Sequence, residues 1–452
     1  FTQVSASHEV SPLIKYVSRG DTTVVDAYLS PILKRYVDQV AGELPGIRLM
    51  FMQSSGGLTD AHRFRGKDAI LSGPAGGIVG MVRTSEQAGF DKIIGFDMGG
   101  TSTDVSHYAG EFEREFETQV AGVRMRAPMM SIHTVAAGGG SILHFDGARL
   151  RVGPDSAGAN PGPACYRRGG PLAVTDCNVL LGKIQPDFFP KVFGPEANEP
   201  LDRDAVAQRF AAMANEVRAA TGRDMSPEQL AEGFLEIAVG NMAEAIKRIS
   251  VQRGHDVTEY ALTVFGGAGG QHACLVADAL GMTTVFAHPL GGVLSAYGMG
   301  LADQTDMRQK TVEKVLDADL MRELAGELDT LASQAVGELR RQHVADSDIS
   351  VQRRLHLKYR GTDTALEVAY GDLEQARRDF EAAYRQRYSF LMPNRELVVE
   401  TISVEATGGG ERVTETPASR TRDSALAARR TVRMYSGGAW RDTPLYLCLL
   451  HI

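Results

Sequence analysis

Two aspartates frame a glycine turn that also carries three hydroxyl side chains. An apolar run leads into Asp97, the chain turns at Gly99 and Gly100, and Asp104 closes the segment; the hydroxyl residues in between are Thr101, Ser102 and Thr103. Because glycine has no side chain, backbone N–H groups in such a turn can face outward and form a concavity for phosphate oxygens. Carboxylates and water are ligands that Mg²⁺ favours. The segment therefore predicts a phosphate site with magnesium held by Asp97 and Asp104. The simpler alternative is a Gly-Gly β-turn with polar caps.

Strands on both sides must hold this turn in place. Residues 93–96 are largely apolar, residues 105–108 alternate, and a mixed run at residues 111–117 follows a second turn at Ala109 and Gly110. This pattern predicts a strand, a tight turn, a strand, a turn and a strand. The strand context, together with the two carboxylates and three hydroxyls, favours phosphate binding over an ordinary turn.

A glycine-rich segment at residues 71–77 precedes an amphipathic helix. Ser72 can cap this helix, and Pro74 fits its first turn. A glycine-rich helix start can hold an anion. Gly76 and Gly77 could instead allow the helix to pack closely against a sheet, and the sequence leaves both possibilities open.

A run of three glycines follows the strand expected at residues 128–135. Such a run suits a loop pressed against a ligand or another backbone, and we take four residues as candidate substrate contacts: Gly138, Gly139, Gly140 and Ser141. Residues 149–176 contain too many glycines and prolines for regular structure, and long loops of this kind are usually functional or disordered. Low charge and an interleaved cysteine and tyrosine argue for order, so Ser156 and Tyr166 are further substrate candidates. Asp176 could be a metal or polar ligand, although capping the following helix is the simpler role.

A strand, a glycine loop and a helix follow one another at residues 260–280. This is the layout of a nucleotide-binding βα turn, and its loop glycines are Gly266, Gly267 and Gly269. The absence of a following Gly-Lys-Ser/Thr excludes a Walker loop, and the ribose-binding acid of dinucleotide sites is not evident. His272 is either a packing residue at the helix N-terminus or, beside a nucleotide loop, a general base or substrate ligand. His133 leaves the same two possibilities.

Length and composition bound the remaining possibilities. A chain of 452 residues is expected to form at least two domains. The 43% hydrophobic and 23% charged fractions are typical of soluble globular proteins, and the net charge of −8 argues against a nucleic-acid-binding surface. With neither a signal peptide nor a membrane-spanning run in this sequence, we expect no membrane partner. No Cys-x-x-Cys pair occurs, so we expect reduced cysteines in a cytoplasmic protein; they are Cys165, Cys177, Cys274 and Cys448.

Periodic patterns extend along the rest of the chain. Helices are predicted at residues 21–44, 205–220, 226–253, 312–344 and 373–388, and strands at 47–53, 283–287, 355–370 and 397–406. Ser226 and Gln229 have the spacing of a capping box, with Pro227 at the first helical position. The sequence pattern changes near Asp303, where a long charged amphipathic region follows the glycine-rich segments. This change predicts one domain over residues 1–305 and a separate α+β domain over residues 306–452.

The sequence of the phosphate turn resembles that of a known family. Residues 97–106 resemble the second phosphate motif of the actin-like ATPase superfamily, and they are most similar to the hydantoinase A/5-oxoprolinase family, especially its 5-oxoprolinase branch. Further matching segments are residues 53–57, 72–77, 136–141, 153–166, 175–176, 265–272 and 357–361. The resemblance implies an α/β fold with an actin-like (ribonuclease H-like) ATPase lobe and a C-terminal α+β domain of the hydantoinase A type.

The resemblance also implies an activity and its cofactors. In the 5-oxoprolinase branch, ATP is thought to phosphorylate the lactam oxygen of 5-oxo-L-proline, so that water opens the ring to L-glutamate. The implied cofactors are ATP and Mg²⁺, with K⁺ as a further candidate. The implied nucleotide contacts are Gly99, Gly100, Thr101, Ser102, Thr103, Gly266, Gly267 and Gly269, and the implied catalytic residues are Asp97, Asp104 and His272.

One departure from the family pattern bears on this chain. Family members carry another turn, of the Asp-x-Gly-Gly-Thr-Phe-Thr-Asp type, near their N-terminus, and this sequence has no second turn of that kind. The chain begins at Phe1 and ends in an apolar tail, so we expect a fragment without the N-terminal lobe and without a hydantoinase B-like half. Those two parts, a small lactam or hydantoin, and further copies in a homo-oligomer are the expected partners. We expect the chain alone to bind ATP poorly and to turn over little substrate.

Other functions stay open at this stage. The chain could be an ATP-dependent N-methylhydantoinase or an acetone carboxylase-type subunit. It could also be a nucleotide-responsive, chaperone-like regulator, or a catalytically silent scaffold for a partner's active site. The loop at residues 153–166 favours an enzyme, because chaperone-type members have no obvious need for it beside the nucleotide.

Overall fold

The computed structural model describes residues 3–120, 122–410 and 428–446. The α-helices in these ranges are α1 (Ser7–Val10), α2 (Tyr16–Glu43), α3 (Ser72–Gln87), α4 (Val174–Leu180), α5 (Arg203–Thr221), α6 (Pro227–Ile249), α7 (Ala273–Leu280), α8 (Leu294–Leu301), α9 (Ala318–Arg341) and α10 (Leu373–Tyr388). The strands are β1 (Met50–Met52), β2 (Leu58–Asp60), β3 (Lys92–Met98), β4 (Thr103–Ala109), β5 (Arg114–Glu115), β6 (Thr118–Val120), β7 (Val123–Met125), β8 (Met129–Met130), β9 (His133–Val135), β10 (Ser141–Phe145), β11 (Leu150–Ser156), β12 (Ala261–Phe265), β13 (Thr284–Ala287), β14 (Gln304–Val315), β15 (Ser350–Tyr359), β16 (Leu366–Ala369), β17 (Leu397–Gly408), β18 (Arg430–Ser436) and β19 (Ala439–Leu445). Phe1 and residues 447–452, which include Cys448 and most of the apolar tail at residues 445–452, lie outside the described residues.

Five strands form the central sheet, in the order β13-β12-β3-β4-β9. Strands β3, β4 and β9 are antiparallel to one another in turn, whereas β12 and β13 run parallel to β3. The inner strand β12 is buried along its whole length, which is consistent with its mostly apolar sequence. This order, with three antiparallel strands followed by two parallel ones, is the ribonuclease H-like arrangement. The expectation of an actin-like α/β lobe is confirmed.

Helices cover both faces of the central sheet. On one face, Phe234 and Met242 of α6 join the core formed by alternate sheet residues such as Phe96 and Val105. On the other face, α3 and α8 share a smaller core that includes Met81 and Ile93. The period-2 alternation of β3 thus supplies both cores.

Glycines in α3 permit its close approach to α8. A Cβ atom at Gly76 would lie 2.8 Å from the carbonyl oxygen of Ser295, and one at Gly77 would lie 2.9 Å from the Ser295 hydroxyl. Helix packing is therefore the role these two glycines have in the structure. The expected Ser72 cap is wrong: the cap position is Leu71, in a left-handed conformation with φ 60°, and Ser72 is the first helical residue.

A second sheet has the order β1-β2-β14-β17-β15-β16. Helices α9 and α10 pack against it around a separate core that includes Leu328, Phe380 and Val404. Leu58 of β2 pairs with Gln304 of β14, so the short strands near the start of the chain extend this sheet. The domain boundary at residue 305 stays a prediction.

Two predicted helix boundaries are wrong. Helix α2 begins at Tyr16 instead of residue 21. Its N-cap residue Lys15 makes no side-chain capping hydrogen bond, so the sequence contains no capping residue that marks this start. The residues that precede α9 belong to β14, which pairs with β17 as far as Val315. Helix α9 starts only after Asp317, whose carboxylate accepts a hydrogen bond from the Leu320 N–H. Residues 312–315 form a strand because they pair with β17, although their local sequence pattern is helical.

Several local predictions are confirmed. Helix α10 has the predicted bounds. The capping box at the start of α6 is present, because Ser226 and Gln229 each accept a backbone hydrogen bond from the other. Among the described residues, no helix is both long enough and apolar enough to cross a membrane.

Candidate active site

Three glycine loops meet where β3 and β12 end. The first is the turn at Gly99 and Gly100, the second contains Gly138 to Gly140, and the third runs from Gly266 to Gly270. The Gly139 N–H donates to the Gly99 carbonyl at 3.1 Å, and the Ala268 N–H donates to the Met98 carbonyl at 2.9 Å. Loops at the carboxyl ends of neighbouring parallel strands commonly form ligand sites.

The contact between the first two loops requires glycine. A Cβ atom at Gly138 would lie 2.6 Å from the Ser102 nitrogen and 2.8 Å from the Thr101 nitrogen. The Gly140 N–H also donates to the Gly100 carbonyl. The run of three glycines is therefore pressed against another backbone, which is one of the two roles that the sequence predicts for it.

The two carboxylates of the turn lie side by side. Asp97 of β3 and Asp104 of β4 are direct cross-strand partners, so their side chains project from the same face of the sheet. Burial and the neighbouring charge of Asp104 raise the pKa of Asp97 from its ordinary 3.8 to about 6. Burial also raises the pKa of Asp104, although a 2.6 Å hydrogen bond from the Thr134 hydroxyl opposes that rise.

Neither carboxylate forms an ion pair with a basic side chain in the described parts of the chain. Two adjacent acids without a counter-cation are unfavourable when both are ionised. A divalent cation would remove that repulsion, and oxygen donors of this kind suit Mg²⁺. The donor set of Asp97 and Asp104 therefore fits the predicted metal.

A glycine also makes room for the first carboxylate. Gly266 has φ +79°, and a Cβ atom there would lie 2.3 Å from Asp97 Oδ1 and 2.5 Å from the Met98 carbonyl oxygen. Gly267 and Gly270 have no such neighbours within 4 Å and face open space. The packing of the site therefore requires glycine at position 266, whereas Gly267 and Gly270 leave room beside the loop.

The three hydroxyl residues of the turn have different environments. Thr101 is exposed and Ser102 is half-buried. Thr103 is fully buried, and its hydroxyl donates to the Ala137 carbonyl at 2.5 Å. In this structure Thr103 joins the start of β4 to Ala137, the residue just before the second glycine loop, so Thr101 and Ser102 are the hydroxyls open to a ligand.

Helix α4 locks the surrounding loops together. Both the N–H and the hydroxyl of Thr175 donate to the Gly139 carbonyl, each at 2.8 Å. The Asp176 carboxylate accepts backbone hydrogen bonds from Ala164, Cys165 and Ala173, which is the structural role that the sequence left open for it. One turn beyond Thr175, the Asn178 amide donates to Gln271 Oε1 at 2.7 Å.

His272 lies beneath the loops and does not line them. It is fully buried at the N-cap of α7, and its Nε2 accepts a 3.2 Å hydrogen bond from the Asn178 amide. Burial, assisted by the nearby Lys183 charge, lowers the pKa of His272 to about 4, so the ring is neutral at neutral pH. The structure favours the packing role over the general-base role. His133 is also absent from the loops: it pairs with Val105, on the sheet face opposite Asp104.

The predicted substrate residues divide into two groups. Ser141 is buried and accepts a 2.9 Å hydrogen bond from the Gly138 N–H, so its hydroxyl supports the loop. Ser156 is exposed beside Gly140, whose added Cβ would lie 3.0 Å from the serine hydroxyl. Tyr166 packs against Phe193 at a ring distance of 4.6 Å, and no hydrogen bond among the described residues joins it to the glycine loops.

Some positioning residues escaped sequence reasoning. Thr134 is placed beside Asp104 only by the pairing of β4 with β9. Thr175 and Asn178 flank Asp176, which the sequence did single out, and their helical spacing of three would have placed both on one face of α4.

A separate polar cluster lies at the far end of β3. His107 Nδ1 is 2.6 Å from Glu113 Oε1, and His255 contributes a third potential metal ligand. The two imidazole rings are 4.1 Å apart and 33° from parallel, and His107 Nε2 and His255 Nδ1 lie 3.0 and 3.3 Å from the Tyr260 hydroxyl. Arg253 also binds Glu113 at 2.6 Å and supplies the cation that this carboxylate requires.

Comparison with known proteins identifies the family of this chain. The model of the hydantoinase/oxoprolinase family matches residues 19–308. 5-Oxoprolinase 1 of Arabidopsis thaliana is 41% identical over 99% of this chain and 36% of its own length. The 5-oxoprolinase of Saccharomyces cerevisiae is 38% identical with the same coverage. The chain therefore spans about a third of the length of these curated relatives.

Two solved structures share the fold. The ATP-dependent caprolactamase from Pseudomonas jessenii superposes with a TM-score of 0.86 at 30% identity, over 98% of this chain and 66% of that one. A nucleotide-free acetone carboxylase structure gives a TM-score of 0.69 at 22% identity, over 98% of this chain and 65% of that one, which supports the fold alone. The family match, the relatives along nearly the whole chain and the shared architecture together show that this chain belongs to the hydantoinase/oxoprolinase family.

Proposed function

We propose that this chain forms part of an enzyme that hydrolyses 5-oxo-L-proline to L-glutamate at the expense of ATP, and that the three glycine loops bind the nucleotide. The observation that carries the proposal is the pair of adjacent carboxylates, Asp97 and Asp104, on either side of the Gly-Gly turn. The names of the relatives support the substrate, because several are 5-oxoprolinases at 37–41% identity.

Each residue of the site then has a defined task. The backbone N–H of Gly100 and the hydroxyl of Thr101 would bind phosphate oxygens, and Gly99, whose N–H donates to the Ser102 carbonyl at 3.0 Å, would shape the turn. Asp97 and Asp104 would hold Mg²⁺, which neutralises charge on the transferring phosphoryl group. The open space beside Gly267 would admit the adenosine. The hydrogen bonds that join the three glycine loops at the ends of β3 and β12 support these assignments.

The substrate side follows from the same arrangement. Ser156 lies beside the second glycine loop, where its hydroxyl could bind a lactam that faces the terminal phosphate. Phosphorylation of the lactam oxygen would make the ring carbon electrophilic, and water would then open the ring. Since His272 is buried and neutral, it would position the third glycine loop through Asn178 instead of acting as the base.

A lactam other than 5-oxoproline is the second candidate substrate. The caprolactamase alpha subunit of Pseudomonas jessenii is 31% identical over 98% of this chain, which covers 65% of that subunit. This identity is lower than that of the 5-oxoprolinases, so 5-oxoproline is preferred. A cytoplasmic location, K⁺ dependence and the domain boundary at residue 305 stay predictions beside this proposal.

The test is an assay of ADP and amino-acid release by the complete gene product with Mg²⁺ and K⁺. Candidate substrates are 5-oxoproline, caprolactam and a hydantoin. We expect ADP and glutamate in equal amounts with 5-oxoproline only. ADP release with caprolactam or hydantoin alone would keep the family chemistry but reject the substrate, and no substrate-dependent release would favour a regulatory or scaffold role.

A further inference from the structure

A positively charged cleft lies where helix α10 meets the end of helix α6. Its walls are the end of α6, the turn that follows it, strand β9 and the end of α10. The cleft has a volume of about 400 Å³, which is typical of small-molecule sites. The lining residues that are charged at neutral pH are Arg248, Arg253, Arg387 and Glu115. Three basic side chains thus face one acidic side chain, in a chain whose net charge is −8.

Close packing fixes the walls of this cleft against each other. Gly254 has φ +86°, and a Cβ atom there would lie 2.5 Å from the Gln386 carbonyl oxygen. The Gln386 amide nitrogen also lies 3.3 Å from His255 Nδ1, within hydrogen-bond distance. Because Gln386 directly precedes Arg387, these contacts hold Arg387 beside the turn that carries Arg253. The cleft is therefore formed by the packing of α10 against the turn after α6.

Two of the three arginines have no acidic partner. Arg253 is balanced, because it forms ion pairs with Glu113 at 2.6 Å and with Glu115 at 3.2 Å. Within the described ranges of the chain, neither Arg248 nor Arg387 forms an ion pair. The uncompensated positive charge of the cleft therefore comes from Arg248 and Arg387, which lie on different helices.

The electrostatic environment of His133, on the β9 wall, agrees with this charge. Partial burial lowers the pKa of His133 from its ordinary 6.5, and the nearby charges of Arg248 and Arg253 lower it further. Glu115 acts in the opposite direction, but the shift remains downward. A cleft with a positive field of this kind attracts anions.

The two uncompensated arginines have the chemistry of an oxyanion site. An arginine guanidinium presents a planar fork of N–H donors that matches two oxygens of a carboxylate or a phosphate. The guanidinium carbon of Arg387 lies 5.8 Å from the centre of the Tyr388 ring, and this cation–π contact orients its fork. One monoanion would balance only one of the two arginines, whereas a dianion would balance both.

We propose that this cleft binds a small oxyanion with two negative charges, as in a phosphate group or a dicarboxylate, between Arg248 and Arg387. The bound dianion would join the end of α6 to the end of α10. This site is separate from the three glycine loops, because His133 lies on the sheet face opposite Asp104. The inference is therefore independent of the proposed function.

Isothermal titration calorimetry of the complete gene product tests the inference, with inorganic phosphate, glutarate and acetate as the probes. Excess magnesium–ADP is present throughout to occupy the nucleotide site, and the ionic strength is kept constant. At about pH 8, phosphate carries nearly two negative charges. We expect phosphate or glutarate to bind with a sub-millimolar dissociation constant. Acetate should bind at least about tenfold more weakly, because it carries a single charge.

Two variants that remove a single charge locate the site. Arg248→Gln and Arg387→Gln should each weaken dianion binding at least about tenfold, because each removes one charge-assisted contact. Arg385→Gln is the matched control. Arg385 is exposed on the same helix, forms no ion pair with any described residue and does not line the cleft, so its replacement should leave binding unchanged. Circular dichroism checks that each variant is folded.

The two probes also distinguish the source of the charge. Tighter binding of phosphate identifies a phosphate group as the ligand, and tighter binding of glutarate identifies a dicarboxylate; either result supports the inference if both arginine variants lose it. The inference is overturned if neither dianion binds, if acetate binds as tightly as the dianions, or if dianion binding survives either Arg248→Gln or Arg387→Gln.

Discussion

Replacing Asp97 by asparagine should stabilise the ligand-free protein while removing its response to magnesium and ATP. The pKa of Asp97 rises from 3.8 to about 6 because its carboxylate is mostly buried and lies beside Asp104. One pKa unit corresponds to about 1.4 kcal/mol, so ionised Asp97 costs the fold about 3 kcal/mol at neutral pH. Asparagine has nearly the same shape and no charge, so the variant should recover up to about 2 to 3 kcal/mol.

The pH dependence of this gain has a definite sign. Because the folded-state pKa is above the unfolded one, the native protein binds more protons between pH 3.8 and about 6. Its stability therefore falls as the pH rises through that window, and the cost is fully present above it. The advantage of Asp97→Asn should be largest at pH 8 and roughly half as large at pH 5.

Two measurements on the same variant separate stability from function. Urea unfolding without Mg²⁺ or nucleotide at pH 8 and pH 5 gives the free energy of unfolding. The shift in melting temperature on adding magnesium–ATP, measured on the complete gene product, reports ligand binding. Asp91→Asn is the matched control, because Asp91 is exposed just before β3 and should change neither quantity.

Two results for Asp97→Asn would contradict these expectations. A ligand-free Asp97→Asn protein that is less stable than the wild type at pH 8 would show that the carboxylate has a stabilising partner. An undiminished response to magnesium–ATP would show that Asp97 does not hold the metal. Either result would also remove the main support for the nucleotide site.

Three further predictions concern the groups around this carboxylate. Gly266→Ala should cost at least about 1 to 3 kcal/mol of stability and most of the activity, whereas Gly267→Ala, which meets no atom within 4 Å, should be nearly neutral in urea unfolding of the ligand-free protein. Asn178→Ala should raise the KM for ATP more than it lowers kcat, with about 1 to 3 kcal/mol lost in urea unfolding, because it frees the third glycine loop; an unchanged KM would contradict its positioning role. Thr134→Val should move the acid limb of the pH–activity profile upward, since the lost hydrogen bond allows the pKa of Asp104 to rise; an unmoved limb would exclude Asp104 as a ligand that must be ionised.

Local chemistry made part of the site predictable. The turn between β3 and β4, with its two carboxylates, is contiguous in sequence. The glycine runs indicated close contacts with a ligand or another backbone. The contact of Gly138 with Thr101 could not be foreseen, because it depends on how the sheet brings distant segments together. His272 shows the same limit: a histidine after a glycine loop can face either the ligand or the core, and only the position of α4 decides between them.

The boundary errors have a similar origin. The residues that precede α9 alternate weakly and could continue its helical pattern, but pairing with β17 satisfies their backbone groups as a strand. The start of α2 at Tyr16 has no side-chain cap, so no local residue marks it. Tertiary contacts determined both ends, and a single sequence contains little information about such contacts.

The arrangement of charge and glycine explains why a costly carboxylate pair persists. Folding alone would favour an apolar or amide residue in place of Asp97, yet the surrounding backbone is shaped to keep this side chain. Gly266 leaves room for the Asp97 carboxylate oxygen, and the Thr134 hydroxyl donates a hydrogen bond that favours the ionised form of Asp104. Strain maintained by several independent features is expected at functional sites, where binding of a ligand offsets the cost. The stability of this lobe should therefore depend on whether the carboxylate pair is occupied, so magnesium–nucleotide should stabilise it more than either component alone.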